Sequence, residues 1–328
     1  MSAFSPPPLI GHSPAFLATL AHVSRVAPLE RPILLVGERG TGKELVAARL
    51  HYLSRRWDRA FVKVNCAALP ETLLDSELFG HEAGAFTGAT RRHVGRVEQA
   101  DGGTLFLDEI ATSSPAVQEK LLRAVEYGEI ERVGGRTQTV DVRVVGATNA
   151  DLPALAEAGR FRADLLDRLA FDVVALPPLR ERREDIPVLA EHFALGMVRE
   201  LGRPLFPGFT PRALDDLLGH GWPGNVRELR NAVERSVAAS DPDAPVDTIV
   251  LDPFRSSSRP PPAQVEEAPP PPPAAEGGFL DRVRSFETSL LKAALERNRH
   301  NQRRTAQDLG LTYHQLRGYL RKYGLIGG

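Results

Sequence analysis

Cysteine is nearly missing from this chain of 328 residues: Cys66 stands alone. No internal disulfide can form and no cysteine cluster can hold a metal, so Cys66 reads as a small apolar residue before it reads as a catalytic thiol. Long hydrophobic runs are missing too. No stretch approaches the roughly 18 uninterrupted apolar residues of a membrane span. The opening Met-Ser-Ala-Phe-Ser-Pro-Pro-Pro lacks the basic segment and apolar core of a secretion signal. A cytoplasmic protein that does not span a membrane is the expectation. Nor is there an excess of one charge. With 42% hydrophobic residues, 25% charged and a net charge of -1, the composition excludes a fibrous or fully disordered chain and allows one large or two modest cores.

The balance hides an asymmetry. From Phe279 onward ten Lys/Arg face four Asp/Glu, a charge of +6, which leaves -7 on everything before. A basic module on an acidic body is the pattern of a nucleic-acid-binding tail, although a solvated helical face would look alike. Between the two, Ser256 to Gly278 holds eight prolines in 23 residues and almost nothing apolar. It reads as a linker, at most roughly 70 Å long if wholly extended as polyproline II.

Ahead of the linker, short apolar runs alternate with amphipathic stretches. Ile33 to Val36, Phe61 to Val64, Thr104 to Leu107, Val142 to Val145 and Asp172 to Ala175 read as buried strands, Glu44 to Leu53 and Pro115 to Tyr127 as crossover helices. That alternation predicts an α/β fold, a parallel sheet covered on both faces. After Pro177-Pro178-Leu179 only helices are expected: Ile186 to Leu201, Pro211 to Leu218 and Gly224 to Ser240.

The strand Ile33 to Val36 runs into Gly37-Glu38-Arg39-Gly40-Thr41-Gly42-Lys43-Glu44 and then a helix, the context that a phosphate-binding P-loop needs. Its glycines let backbone N–H groups and a helix N-terminus face phosphates, and Lys43 adds a point charge for the outer ones. ATP with Mg2+ is the implied ligand. Glu44 stands where a generic P-loop has Ser or Thr for magnesium, which shifts metal ligation toward Asp108, water and Thr41. Asp108 and Glu109 end a strand, as a magnesium-ordering Asp and a water-activating Glu would. Thr148 and Asn149 end another and can read the terminal phosphate.

Two features stay open on spacing alone. Arg162 and Arg168 are six apart and would not share a helix face, so surface ion pairs with Asp164 and Asp167 are the simpler reading. Gly84-Ala85-Phe86-Thr87-Gly88-Ala89 is an apolar tip flanked by glycines, which in most soluble chains is only a turn.

Taken together, from about Leu9 to the C-terminus apart from the linker, these residues resemble the bacterial enhancer-binding proteins, the AAA+ activators of sigma-54 RNA polymerase. The loop with Glu44 agrees with that group, as do Glu77-Leu78-Phe79-Gly80-His81-Glu82 and the unaltered run Gly84 to Ala89. The resemblance implies an AAA+ P-loop parallel sheet over 9–176, a helical lid over 177–252, a Pro-rich linker over 253–278 and a helix-turn-helix domain over 279–328, after a tail of 1–8. It also implies that Arg162 and Arg168 are arginine fingers entering a neighbour's site, so that the active species is a self-assembled ring, a hexamer. Asn65 resembles the polar switch restraining Glu109, and Arg227 the second sensor, in the lid. Gly84 to Ala89 becomes the contact with sigma-54 in the RNA polymerase holoenzyme.

An ATPase that begins near Leu9 leaves no room for a receiver or ligand-binding domain in front, so regulation is expected from outside the chain. That layout, with Tyr52-Leu53-Ser54-Arg55-Arg56-Trp57, resembles the phage-shock, envelope-stress subgroup, held inactive by a separate negative regulator resembling phage shock protein A. Tyr52, Leu53 and Trp57 are then a docking patch; packing of Trp57 beneath a helix-to-strand loop is equally open.

Near the C-terminus, Asn301 to Gly310 followed by Leu311 to Arg317 reads as helix, glycine turn, helix, with Thr312 and Gln315 in capping-box spacing. This is a Fis-type helix-turn-helix for upstream enhancer DNA. Arg303 and Arg304, then Thr312, Tyr313, His314, Gln315, Arg317 and Arg321 on the recognition helix, are the candidate DNA contacts. A replication initiator or helicase loader with an AAA+ module and a DNA-binding tail is the alternative that would need no polymerase-contacting loop.

Overall fold

The computed structural model describes residues 8–85, 89–253 and 278–326. The chain divides into two compact units, Met1–Pro253 and Phe254–Gly328.

In chain order the first unit contains α1 (Pro14–Val26), β1 (Ile33–Val36), α2 (Lys43–Tyr52), β2 (Phe61–Asn65), α3 (Glu71–Phe79), β3 (Gly80–His81), β4 (His93–Val94), α4 (Arg96–Gln99) and β5 (Thr104–Asp108). It continues with α5 (Pro115–Tyr127), β6 (Glu129–Glu131), β7 (Thr137–Thr139), β8 (Arg143–Thr148), α6 (Leu152–Glu157), α7 (Ala163–Leu169) and β9 (Asp172–Ala175). The helices α8 (Asp185–Glu200), α9 (Pro211–Gly219) and α10 (Asn225–Ala239) complete it. Several helices start where a hydroxyl or carboxylate accepts an exposed N–H ahead of a proline: Ser13, Ser114, Asp151 and Thr210 each cap this way.

Five strands form one parallel sheet in the order β2-β5-β8-β1-β9. Central β8 is buried along its whole length, which explains its run of small and β-branched residues. On one face Val23, Val26, Val46 and Leu50 of α1 and α2 pack on Leu35, Val145 and Ala147. On the other, Leu78, Leu121 and Leu165 of α3, α5 and α7 pack on Leu34, Leu105 and Leu107. The expected cover of both faces is incomplete at the β9 end. There Leu34, Val36, Val173 and Ala175 border an apolar cavity of about 610 Å³ beside α6 and α7.

The lid helices enclose a separate core around Trp222, which is fully buried and donates from Nε1 to the Leu217 carbonyl at 2.8 Å. In the second unit, α11 (Phe279–Arg297), α12 (Gln302–Asp308) and α13 (Tyr313–Lys322) close on Leu291, Leu295, Ala306, Leu316 and Leu320. Gly310 takes φ 64° at the turn, where glycine carries no Cβ penalty. Among the described residues no helix is long and apolar enough to cross a membrane.

One buried titratable ring lies in the first unit. His51 stacks on Phe61 with centroids 4.9 Å apart and places Nδ1 3.0 Å from Thr104 Oγ1. Burial, reinforced by the Arg143 charge, holds its pKa below the ordinary 6.5. The unfolded chain therefore takes up a proton that the folded chain refuses, and stability falls as pH drops below about 6.5. Urea unfolding at pH 7.5 and 5.5 should show this loss, and His51→Gln should remove part of it; an unchanged pH slope in the variant would exclude His51 as its source.

Candidate functional site

The site gathers at the C-terminal ends of β1, β5 and β8, where an open parallel sheet places its ligands. Gly37 continues β1 with its N–H on the Thr148 carbonyl at 3.2 Å. Gly40 and Gly42 take φ 77° and 101°, and a Cβ on Gly40 would lie 2.2 Å from the Gly224 carbonyl oxygen, so only glycine fits there. Lys43 opens α2 and is buried. Its Nζ donates to the carbonyls of Gly37 (2.8 Å) and Glu38 (3.2 Å). Burial lowers its pKa, against the opposing charges of Glu109 and Asp108. Thr41 Oγ1 also donates to the Glu38 carbonyl, at 2.9 Å. Glu44 borders the same cavity but is paired with Lys63 at 2.8 Å, so that, among the described residues, Asp108 is the carboxylate without such a cation beside Glu109.

Asp108 Oδ1 accepts the Glu109 N–H at 3.0 Å. Glu109 itself sits at φ 52°, a left-handed conformation costing about 1–2 kcal/mol for such a residue. Its carboxylate is met by two neighbours. With its carboxamide turned so that both ends face complementary partners, Asn149 donates to Glu109 Oε2 at 2.8 Å and accepts from Arg39 Nε at 3.3 Å. Arg39 Nε stands 3.9 Å from Glu109 Oε1. Asn65, expected to restrain Glu109, lines the same cavity and accepts the Ala67 N–H on its Oδ1 at 2.9 Å. In this structure Asn149 and Arg39 hold the carboxylate. Thr148 is buried and caps its own loop by accepting the Ala150 N–H. Burial and the charges of Asp108 and Glu109 push the Cys66 thiol up to about 12, which keeps it protonated and inert.

Arg39, Gly40, Gly42, Lys43, Glu44, Asn65, Asp108, Glu109 and Arg227 share one cavity of about 470 Å³. A second, more apolar cavity of about 250 Å³ shares Gly42, Leu45, Phe193, Val226 and Arg230 with it and is closed by Leu9, Ile10 and Phe16. A charged pocket continuing into an apolar slot suits a nucleotide, phosphates in the first and base in the second.

Arg162 and Arg168 are not among the residues lining either cavity. Arg162 precedes α7 and pairs with Asp164 at 2.7 Å, and Arg168 in its last turn pairs with Glu126 of α5 at 2.6 Å. The Asp164 pair is the one that spacing indicated. Asp167 is not the partner of Arg168, because α5 brings Glu126 alongside.

Of the glycine-flanked run, Gly84, Ala85 and Ala89 are described, while Phe86, Thr87 and Gly88 lie outside the described residues. The run is pinched at its base, where the Gly84 N–H meets the Ala89 carbonyl at 2.8 Å. The β6–β7 hairpin docks on this base: Glu82 N–H reaches the Val133 carbonyl and Val133 N–H the Gly80 carbonyl. Arg132, 6% exposed, ties the two with one guanidinium shared between Glu82 (2.6 Å) and Glu98 (2.8 Å).

Trp57 is 62% exposed and Leu53 43%, while Tyr52 is half-buried. The alternative that Trp57 packs beneath the loop is thereby corrected; its neighbour Arg56 is the one that turns inward, bound to Glu30 and Asp141. In the second unit Arg303, Arg304, Tyr313, His314, Arg317 and Arg321 are all exposed. Thr312 and Gln315 make a full capping box, which commits the Gln315 carboxamide oxygen to the helix start.

Three comparisons bear on this geometry. Residues 9–175 match the model of the sigma-54 interaction domain, 180–266 that of an AAA+ ATPase lid domain and 282–323 that of the bacterial regulatory proteins of the Fis family. The Psp operon transcriptional activator of Escherichia coli K12 is 58% identical over 96% of this chain and 97% of its own length. The transcriptional regulatory protein ZraR of Salmonella typhimurium is 46% identical over 93% of this chain and 66% of its own. The chain belongs to the sigma-54-dependent AAA+ transcriptional activators. Among solved structures, NtrX from Brucella abortus in complex with ATP superposes with a TM-score of 0.69 at 34% identity, over 97% of this chain and 70% of that one. As a member of this family the chain is a nucleotide-binding ATPase that activates transcription with sigma-54.

Sequence reasoning missed the residues by which this activator joins its lid to its P-loop. Arg180 grips both oxygens of Glu38 (2.9 and 2.6 Å), drawing its pKa to about 2 together with Asn225. Arg182 donates to the Thr41 carbonyl at 3.2 Å. Nothing in local spacing marks these partners, which come from over 140 residues away. Arg132 was missed likewise. Arg132→Ala should cost about 1–3 kcal/mol in urea unfolding by removing the cation between Glu82 and Glu98, of which, among the described residues, only Glu98 keeps another partner, Arg92 at 3.3 Å, and weaken sigma-54 capture while ATP binding persists. Unimpaired capture by a folded variant would separate the hairpin from the loop's work.

Proposed function

We propose that this activator works as a ring of identical chains, in which Arg162 and Arg168 of one chain complete the nucleotide site of the next. What supports this reading is one observation: Lys43, Asp108, Glu109 and Arg227 converge on a single cavity, whereas both arginines stand on the outside of α7. A cation supplied in this way is worth about 10³ to 10⁵ in turnover.

In the proposed chemistry Lys43, Arg227 and the N-terminus of α2 hold the phosphates. Glu109, released from Asn149 and Arg39, accepts a proton from the water that attacks the terminal phosphoryl group. Asp108 would hold Mg2+, which requires only one or two carboxylates besides phosphate and water and supplies charge neutralisation. Glu44 and Thr41, already engaged with Lys63 and the Glu38 carbonyl, are not needed for it.

Hydrolysis is read out at Gly84 to Ala89, with Phe86 and Thr87 contacting sigma-54 of the polymerase holoenzyme and converting a closed promoter complex to an open one. Opening about ten base pairs costs on the order of 14 kcal/mol at about 1.4 kcal/mol per step, a reason for chemical fuel. The helix-turn-helix tethers the ring to upstream enhancer DNA through α13. Exposed Trp57 and Leu53, with Tyr52, form a dock for a separate negative regulator resembling phage shock protein A, in a phage-shock response such as the name of the Escherichia coli relative indicates.

Reconstituted transcription from a sigma-54 promoter with ATP tests the whole. Thr87→Ala should keep ATPase activity and lose promoter opening; full activation by that variant would remove the loop from the mechanism. Glu109→Gln should still bind ATP and assemble but hydrolyse about 10² to 10⁴ times more slowly, as followed by phosphate release. Turnover at the wild-type rate would make Glu109 a bystander.

A further inference from the structure

We propose that Asn225 is a positioning residue for ATP. Its single carboxamide fixes the P-loop against the lid and thereby sets where Arg227, two residues later on α10, stands over the phosphates. The inference rests on the reading of the 470 Å³ cavity as the nucleotide site.

Asn225 is fully buried at φ 53°, a backbone region that asparagine tolerates better than most residues. Both ends of its side chain are used. Oδ1 accepts the Leu179 N–H at 2.7 Å, at the start of the lid, and Nδ2 donates to Glu38 Oε2 and to the Arg39 carbonyl, each at 3.0 Å. The preceding Gly224 presses its carbonyl onto Gly40 so closely that no Cβ fits between. Its N–H is held by Glu228 Oε2 at 2.7 Å, which fixes the turn from within α10. The Arg180–Glu38 pair runs in parallel but is exposed on both sides, 46% and 41%, where ion pairs contribute little. Asn225 is thus the buried link between two P-loop residues and the first turn of α10. Displacement of Glu38 or Arg39 breaks bonds to the same carboxamide that orients Arg227, so lid position and phosphate affinity are linked.

Asn225→Asp tests this, because it turns a carboxylate oxygen toward two acceptors, Glu38 Oε2 and the Arg39 carbonyl. The KM for ATP should rise about tenfold or more while kcat changes less. Glu38→Gln combined with Asn225→Asp restores a donor–acceptor pair with the roles exchanged and should recover part of that loss. A wild-type KM in Asn225→Asp, or a double variant no better than the single one, overturns the proposal. If Asn225→Asp does not fold by circular dichroism, Asn225→Gly keeps the left-handed backbone and deletes the amide. It should show the same rise in KM, and an unchanged KM in it is likewise decisive against. Hydrogen exchange of the nucleotide-free protein gives a readout that does not depend on turnover. Asn225→Gly should expose the Leu179 amide to faster exchange, and equal protection overturns the latch even if the wild type proves to hydrolyse no ATP, the result that would instead sink the reading of the cavity.

Discussion

Lys43 is buried at the mouth of a parallel sheet, so its ammonium must find acceptors within the fold, and it finds the carbonyls of Gly37 and Glu38 at the start of its own loop. Much of the first unit follows from that constraint. A buried cation tolerates burial only beside opposite charge, and Asp108 and Glu109, delivered by β5 next to β8 in the sheet, supply it. Two carboxylates so placed need their own restraint, which Asn149 and Arg39 give to Glu109. Glu38 must in turn be anchored, and Arg180 and Asn225 reach in from the lid to do so. Sheet, loop and lid are successive solutions to the placement of one charge.

Local chemistry was legible wherever spacing along the chain determines it. The strand-loop-helix around Gly37 to Lys43, the acids ending β5 and the capping box at Thr312 and Gln315 all depend on residues within a few positions of one another. Strand order was not legible, since β1 pairs with β8 and β9 across more than 100 residues. Short β3, β4, β6 and β7 have no periodicity to detect, although they carry the loop base. α1 and α3 also went unseen, because each interleaves apolar with polar residues outside the strand alternation that drew attention. Asn65 lines the expected cavity, and its Oδ1 accepts the Ala67 N–H, a local contact that spacing did not indicate.

Arg132 and Asn225 illustrate a common design. Each is a buried multi-donor side chain that joins segments far apart in sequence, Arg132 the hairpin to the base of Gly84 to Ala89 and Asn225 the lid to the P-loop. Buried polar links of this kind contribute less to net stability than to a single defined arrangement, because any displaced partner is left unsatisfied away from water. They make neighbouring segments move together or not at all, which an ATPase with a mechanical output requires.

The same logic bears on why the arginines are placed as they are. Arg162 and Arg168 are exposed and held by single ion pairs to Asp164 and Glu126, interactions that water and salt screen to a small contribution. In the proposed ring, a polyanionic phosphate chain presented by a neighbouring copy would compete easily with such partners. Had either arginine been buried and multiply bonded like Arg132, its transfer to another chain would leave unpaired acidic groups behind at a cost of several kcal/mol. Weak tethering of the two arginines and strong tethering of Arg132 and Asn225 are complementary under the proposed ring: side chains that change partners stay at the surface, and those that fix one arrangement stay inside.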